Sequence, residues 1–217
     1  MAEGEFQTLA GAARAETRVR GSTFHALAAP IRTEDDARVV LADVQREHSS
    51  ATHHCSAWRL HGNIWRANDA GEPSGSAGAP ILGVIDGAAL SDCMVVVTRY
   101  YGGTKLGVGG LIRAYSDAAG LALVAAKRLR ATPGVRARIR FSYQHTSAVM
   151  RMLERVGTFD VEHGYSIAGT EGEVSFTVPR QRAAELQEQL REATGGALSA
   201  ELGEDRILYR SGDTDLS

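Results

Sequence analysis

The segment at residues 95–116, VVVTRYYGGTKLGVGGLIRAYS, constrains the fold of this chain more than any other. It predicts a buried strand at 95–97, then a glycine-dense loop, then a helix that begins near Gly109. Glycine permits positive φ and close approach to the backbone, and a helix N-terminus offers unpaired N–H groups. Five glycines surround Lys105, with one arginine on either side of the group: Gly102, Gly103, Gly107, Gly109, Gly110, Arg99 and Arg113. The segment is therefore predicted to form an accessible receptor for a negatively charged group.

Two common nucleotide-binding motifs do not fit this segment. The phosphate loop of nucleotide hydrolases requires Gly-x-x-x-x-Gly-Lys-Ser/Thr, whereas Lys105 here follows Gly103 and Thr104. The dinucleotide fingerprint Gly-x-Gly-x-x-Gly fails because Ile112 occupies the third glycine position. Conventional nucleotide hydrolysis and dinucleotide binding are therefore not expected. The structural alternative is a tight strand-to-helix connection whose glycines serve packing alone.

The overall composition limits the class of protein. The chain has 217 residues, of which 43% are hydrophobic and 23% charged, as in ordinary globular proteins of one or two domains. A net charge of −2 argues against coating nucleic acid by bulk electrostatics, so any anion affinity must come from a local arrangement. Cys55 and Cys93 are too few for a disulfide framework and fit a reducing cytosol. We expect a cytoplasmic protein, because no secretory signal opens the sequence and no apolar run approaches the roughly 20 residues of a membrane span.

Up to about residue 130 the pattern alternates strands and helices. Thr33 is expected to cap a helix with an acidic first turn, and 68–75 has the composition of a loop. A short helix is expected at 77–85. The predicted strands are 14–20, 23–29, 53–60, 64–67 and 95–97. After the glycine motif, a long helix should bury Leu111, Tyr115, Ala118, Ala122 and Ala125.

A boundary between two domains is predicted near Thr132-Pro133-Gly134, which gives domains at 1–132 and 133–217. Beyond it the predicted order is strand, helix, strand, strand, helix, strand, the split βαβ arrangement of ferredoxin-like domains. The second of these helices is predicted to begin at Pro179, since proline is favoured at a first helical position. The tail at 211–217 is predicted to be disordered.

Histidine and serine clusters suggest two kinds of site that the spacing does not favour. His53, His54 and Cys55 could suggest a metal, but neighbouring residues of a strand point to opposite faces and the usual ligand spacings are absent. Ser74 and Ser76 lie in a run of small residues that lacks the Gly-x-Ser-x-Gly elbow of serine hydrolases. Neither metal binding nor serine hydrolysis is expected.

Two charged groups leave alternatives open. The row Arg136, Arg138 and Arg140 could contact phosphates at strand spacing, but a solvated face paired with glutamates is the preferred interpretation. Glu72 or Asp69, if placed near His53 or His54, could form an acid/base pair.

Two ordered motifs together closely resemble the signature of the YigZ/IMPACT family. They are NDAGEPSGSAGAPIL at 68–82 and the segment at 95–116, preceded by ATHHCSAW at 51–58. The resemblance covers roughly residues 17–130, and the remainder resembles the smaller domain of bacterial members. It implies an α/β (α+β) protein with two domains, the first similar to domain IV of elongation factor G and the second a ferredoxin-like βαββαβ domain. Eukaryotic relatives restrain a kinase that shuts down translation initiation, by competing for its activator. Three positions that usually carry charge in this family are Ala70, Ala79 and Thr23 here.

The leading hypothesis is a non-enzymatic, translation-linked regulator that binds RNA, the ribosome or a translation-associated protein. Arg99, Lys105 and Arg113 would meet phosphates or acidic side chains, and Tyr100 or Tyr101 would stack on a base. The alternatives are a regulator that binds only protein, and an enzyme or sensor that takes a small phosphorylated metabolite or nucleotide at the same turn. No cofactor, metal, membrane or DNA partner is expected. The predicted binding residues are Asp69, Gly71, Glu72, Ser74, Arg99, Tyr100, Gly102, Gly103, Lys105, Gly107, Gly109, Gly110, Arg113 and Tyr115.

Overall fold

The computed structural model describes residues 4–165 and 171–211, which form two compact units. The first consists mainly of Phe6–Arg130 and the second mainly of Ala131–Arg210. Both units combine helices with antiparallel strands, so the predicted two-domain α+β class is confirmed. Apart from Ser211, the tail predicted to be disordered lies outside the described residues.

The first unit is built on a five-stranded sheet in which every neighbouring pair is antiparallel. Its elements are β1 Phe6–Leu9, β2 Ala13–Val19, β3 Ser22–Pro30, α1 Glu34–Glu47, β4 His53–Leu60, β5 Ile64–Asn68, α2 Gly78–Gly87, β6 Cys93–Tyr100 and α3 Val108–Ala125. The sheet order is β2-β3-β6-β4-β5. The strands and helices predicted here are confirmed, but β1 was not predicted. The first hairpin turns at Arg20-Gly21, both at positive φ, whereas the predicted strands 14–20 and 23–29 leave the turn at 21–22.

The start of α1 follows directly from its sequence. The Thr33 hydroxyl accepts a hydrogen bond from the Asp36 N–H at 3.1 Å, and the Asp36 carboxylate accepts one from the Thr33 N–H at 3.0 Å. This reciprocal capping box satisfies two backbone donors that the helix itself leaves unpaired. The predicted cap at Thr33 is therefore confirmed.

The sheet of the first unit separates two hydrophobic cores, with α2 and α3 on one face and α1 on the other. Strand β6 contributes to both cores because its side chains alternate between the faces. The residues toward α2 and α3 are Cys93, Val95 and Val97, and those toward α1 are Met94 and Val96. The same alternation places Arg99 on the side of α2 and α3, and Tyr100 on the side of α1.

Helix α3 packs one side into the larger core of the first unit. Its 18 residues have a mean hydropathy of 1.2, so by length and composition alone it could cross a bilayer. Its buried residues are Leu111, Ala114, Tyr115, Ala118, Ala119, Ala122 and Leu123, whereas Ala125 is exposed, so its predicted burial is wrong. Because these residues pack against the sheet and α2, α3 serves as the core helix of this unit.

The second unit has the predicted order of elements and the sheet order of a ferredoxin-like domain. The elements are β7 Arg128–Ser142, α4 Thr146–Val156, β8 Phe159–Tyr165, β9 Glu171–Pro179, α5 Ala183–Thr194 and β10 Glu201–Ser211. Among the strands of this unit, the order in the sheet is β10, β7, β9 and β8. This 4-1-3-2 order is the one that a split βαβ motif produces.

One local feature of the second unit differs from the sequence prediction. The predicted domain boundary near Thr132-Pro133-Gly134 stays a prediction, and these three residues lie within β7. Pro179 ends β9, and α5 begins only at Ala183, after a short 3₁₀ turn at Arg180–Arg182. The backbone of Pro179 is extended, with ψ 132°, so the predicted helix start at this residue is wrong.

Candidate functional site

The glycine-rich loop at 101–107 joins β6 to α3 and lies exposed, apart from the half-buried Leu106. Gly107 precedes the first residue of α3 with φ 72° and provides no side-chain cap. Its carbonyl accepts the Leu111 N–H at 2.9 Å, which is the first hydrogen bond of the helix. The N–H groups of the first turn have no partner within the helix, so they are available to an acceptor outside it.

The glycines of this loop have different structural roles. A Cβ at Gly102 would lie 1.9 Å from the carbonyl carbon of Gly21, so close packing of two backbones requires glycine there. Gly103 and Gly107 adopt positive φ, at 84° and 72°, which glycine tolerates best. Gly109 has neither constraint: its φ is not positive, and a Cβ would meet no atom within 4 Å. At Gly109 the missing side chain simply leaves the backbone open to approach.

Arg99 is not the free cation that the sequence predicts. Its Nη1 donates to the Glu72 carboxylate at 2.7 Å, and only 6% of the Arg99 side chain and 4% of the Glu72 side chain are exposed. A second nitrogen donates to the Ser22 hydroxyl at 3.3 Å. The predicted role of Arg99 in meeting phosphates is therefore corrected: this arginine neutralises a carboxylate inside the domain.

Glu72 is the centre of a buried polar cluster. Its Oε1 accepts from Arg99 and also from the Tyr115 hydroxyl, at 2.7 Å. Tyr115 is fully buried, and burial raises the pKa of its hydroxyl far above the ordinary value. Glu72 and Tyr115 were both predicted to bind a partner, but each contacts the protein itself, so this prediction is corrected as well.

His53 lies at the edge of this cluster. Its Nδ1–H donates to the Ala70 carbonyl at 2.9 Å, and its Nε2 is 3.9 Å from Glu72 Oε1. His54 instead contacts the Thr98 hydroxyl at 3.1 Å on the opposite face, as the alternation of side chains along a strand predicts. Burial raises the pKa of the Cys55 thiol to about 12, so Cys55 stays protonated and donates to the Asp69 carbonyl at 3.0 Å.

The acid/base alternative requires a carboxylate near a histidine. The structure provides such a pair, but the carboxylate has little capacity to act as a base. Glu72, not Asp69, lies near a histidine, and that histidine is His53. The carboxylate already accepts two short hydrogen bonds at one oxygen, and its charge is neutralised by Arg99. These contacts are typical of a structural ion pair rather than of a general base with a free lone pair facing substrate.

Asp69 organises the loop that precedes α2. Its carboxylate accepts N–H groups from Gly75 at 2.8 Å, Ala77 at 3.0 Å and Gly78 at 2.8 Å. Ala77 provides no side-chain cap to α2, so Asp69 satisfies these donors from a distance in sequence. Burial alone raises the pKa of Asp69, but the three backbone donors outweigh it and hold the pKa below its ordinary value.

Replacing Asp69 with alanine is expected to lower the free energy of unfolding by about 1–3 kcal/mol at neutral pH, because three donors lose their acceptor. A folded-state pKa below the unfolded one means that the stabilisation is complete above about pH 4 and is lost as the pH falls through the folded pKa. Urea unfolding of both proteins from pH 7 to pH 3 should show the difference shrinking with acid. A difference that stays constant over that range would contradict this account.

Of the three cations predicted to meet phosphates, Lys105 and Arg113 are accessible. Both are exposed, and neither forms an ion pair with any residue of the described ranges. Arg20, which sequence inspection missed, is exposed in the β2–β3 turn beside Gly21, whose backbone packs on Gly102. We define the glycine-rich face as the exposed residues of 101–113 together with Arg20. No acidic residue occurs between Asp92 and Asp117, so this segment adds no negative charge to the face.

The two neighbouring tyrosines differ in their exposure. Tyr100 is half-buried on the α1 side of the sheet, and its hydroxyl is 3.0 Å from Nδ1 of His48, so its stacking role stays a prediction. Tyr101 is 47% exposed and belongs to the glycine-rich face. Gly71 and Ser74 lie exposed in the 69–77 loop, where a Cβ at Gly71 would lie 3.4 Å from the His53 ring.

Comparisons with known proteins place the chain in a family. The model of the Impact N-terminal domain matches residues 20–123. A Thermus thermophilus protein, "IMPACT family member in pol 5'region", is 38% identical over 147 residues, covering 68% of this chain and 79% of the relative. This chain belongs to the IMPACT family.

Two further likenesses agree with this membership. IMPACT family member YvyE of Bacillus subtilis is 44% identical over 110 residues, which are 50% of this chain and 51% of YvyE. The chain thus matches about half the length of YvyE. A crystal structure of a hypothetical protein has a TM-score of 0.66 and 26% identity, over 93% of this chain and 98% of that one. The fold of that structure therefore extends over nearly the whole of this chain.

The three positions at which the resemblance implies a missing charge, Ala70, Ala79 and Thr23, have separate locations. Ala70 adopts φ 45°, and its carbonyl accepts the His53 hydrogen bond. Ala79 is exposed in the first turn of α2, and Thr23 pairs with Tyr100 between β3 and β6. The contacts of Ala70 and Thr23 named here are made by the backbone, and they hold whichever side chain occupies the position.

Proposed function

We propose that this IMPACT-family protein is a non-enzymatic, translation-linked regulator that binds RNA through the glycine-rich face. The family is linked to the regulation of translation. The observation that carries the proposal is the pairing state of the cations: Lys105 and Arg113 are exposed and unpaired within the described ranges, beside an exposed loop and uncapped helix N–H groups. Phosphates are the partners that such a combination of cations and backbone donors suits.

The second unit offers a contrast that supports this choice of surface. Its arginine row is paired with acids on the same sheet: Arg136 with Glu162, Arg138 with Glu173, and Arg140 with Glu173 and Glu201. An arginine that already faces a carboxylate has less attraction for a phosphate. On a chain of net charge −2, positive potential therefore concentrates where cations lack acidic partners.

The internal pairing of Glu72 supports a binding role rather than an enzymatic one. The carboxylate best placed to act as a base is neutralised by Arg99 and bonded to Tyr115. Both cysteines are free and buried, which suits a reducing compartment and supports the proposal of a cytoplasmic location.

Removing both charges in Lys105→Ala/Arg113→Ala is expected to weaken RNA binding and flatten its salt dependence. Each lost phosphate contact lowers the slope of log K against log salt by about 0.7–0.9, so the double variant should lose between about 1 and 2. Fluorescence anisotropy with a labelled single-stranded RNA over a series of salt concentrations measures both effects. Arg138→Ala/Arg140→Ala removes the same net charge from the second unit and should leave the slope nearly unchanged.

Two results would overturn this proposal. The first is wild-type protein that shows no salt-sensitive association with RNA at low ionic strength. The second is equal loss of slope in both double variants, which would make the effect one of net charge alone. A thermal shift caused by inorganic phosphate or nucleotides, and abolished by Lys105→Ala, would instead favour the small-metabolite alternative. Capture of a protein that survives nuclease treatment would favour a protein partner.

A further inference from the structure

Tyr101 presents an exposed aromatic ring whose inner side covers a buried cation. The guanidinium carbon of Arg99 lies 5.4 Å from the centroid of the Tyr101 ring and 5.6 Å from that of Phe24. Phe24 is fully buried, whereas Tyr101 is 47% exposed. Arg99 therefore contacts a buried ring and an exposed ring, and both contacts are within the range of cation–π attraction.

Hydrogen bonds fix the backbone at Tyr101. Its N–H donates to the Thr52 hydroxyl at 3.3 Å, and the next N–H, from Gly102, donates to the Ser22 hydroxyl at 3.2 Å. Ser22 also accepts from Arg99, which Glu72 holds at 2.7 Å. The buried polar cluster thus positions the Tyr101 ring before any partner arrives. A ring that is already ordered loses little conformational entropy when it contacts a ligand.

We propose that Tyr101 stacks on an unpaired base, so that the glycine-rich face binds single-stranded RNA in preference to duplex RNA. The inference rests on the proposed RNA-binding function and adds to it the form of RNA that is bound. Bases inside a duplex are stacked on both sides, whereas a base in a single strand offers a free face to an aromatic ring. Val108 and Ile112, which are 54% and 39% exposed in the first turns of α3, extend the apolar surface next to the loop.

The cations and the tyrosine of this face are expected to contribute differently to RNA binding, because their chemistry differs. Lys105 and Arg113 attract phosphates, which single strands and duplexes both carry, so the two cations contribute to both kinds of complex. Tyr101 contributes only where a base is free to stack. Loss of the ring should therefore change the ratio of the two affinities, whereas loss of the cations should change both affinities together.

The test compares Tyr101→Leu and Tyr101→Phe, since leucine still covers Arg99 but cannot stack, and phenylalanine keeps the aromatic face. Tyr101→Leu should weaken binding of a short labelled single-stranded RNA by about five- to a hundred-fold. Binding of the duplex of the same sequence should change less than twofold, and Tyr101→Phe should match wild type on both. Tyr165→Leu, which makes the same change at a 76% exposed tyrosine of the second unit, is the matched control.

Failure of this inference can be told apart from failure of the proposed function. If Lys105→Ala/Arg113→Ala reduces binding but Tyr101→Leu does not, RNA binding stands and the stacking role of Tyr101 is wrong. Equal losses for single strand and duplex with Tyr101→Leu would also overturn the inference, since they indicate a general disturbance of the loop. If neither variant affects binding, the proposed function itself is wrong. Thermal unfolding of Tyr101→Leu confirms that the variant is folded under the conditions of the assay.

Discussion

Replacing Glu72 with alanine is expected to lower the free energy of unfolding by about 3–5 kcal/mol. The reason is the burial of its partner, since only 6% of the Arg99 side chain is exposed. Without the carboxylate, a guanidinium charge remains inside the domain with no compensating charge, and the Tyr115 hydroxyl loses its acceptor. Urea unfolding at neutral pH measures the loss.

A matched substitution on the surface separates burial from the mere loss of an ion pair. Glu47 forms two hydrogen bonds with Arg14, at 2.8 and 2.7 Å, but these side chains are 48% and 57% exposed. Glu47→Ala should therefore cost far less than Glu72→Ala, because solvent screens this exposed pair. Combining Glu72→Leu with Arg99→Met, which replaces the pair by apolar groups, should recover part of the loss. A cost for Glu72→Ala as small as that of Glu47→Ala would show that water reaches Arg99 and that the cluster is not a rigid support for Tyr101.

Local patterns in the sequence were sufficient to predict most elements of the fold. Thr33 and Asp36 supply their own capping box within four residues, and β7 alternates apolar and arginine side chains over much of its length. Such signals depend only on neighbouring residues, so they can be recognised without knowledge of the tertiary structure. Pro179 shows the limit of this approach. A proline fits both a first helical turn and an extended strand end, and pairing of Pro179 with Gly134 of β7 selects the strand.

The contacts within the candidate site could not be predicted, because no local pattern in the sequence specifies them. Arg99 and Glu72 are 27 residues apart, and nothing in the sequence states that they meet. One signal was nevertheless present: Val95, Val97 and Arg99 share a face of β6 by strand alternation, which indicates that Arg99 is buried. Tyr115 lies in the apolar stripe of α3, and the same argument indicates its burial. No apolar pattern of this kind includes Lys105 or Arg113, so the sequence indicated that both are exposed.

Replacing Gly102 with alanine is expected to be the most damaging change within the loop, with a cost of about 3 kcal/mol. The φ of Gly102 is not positive, so the cost does not come from backbone conformation. It comes from space: the new methyl group would lie 1.9 Å from a carbonyl carbon and 2.4 Å from the Ser22 nitrogen. Both are backbone atoms, which cannot rotate away, so the β2–β3 turn and the loop must separate. That separation would also break the hydrogen bond from the Gly102 N–H to Ser22.

Gly109→Ala is the control because it makes the same chemical change at a position with no steric conflict. A Cβ there meets no atom within 4 Å, and alanine is favoured over glycine in a helix by about 0.5–1 kcal/mol. Urea unfolding should therefore show Gly102→Ala less stable than wild type and Gly109→Ala equal to it or slightly more stable. Similar stabilities for the two variants would mean that the turn and the loop are not in contact in solution. Arg20 would then no longer be held next to the loop, and the glycine-rich face would lose one of its three cations.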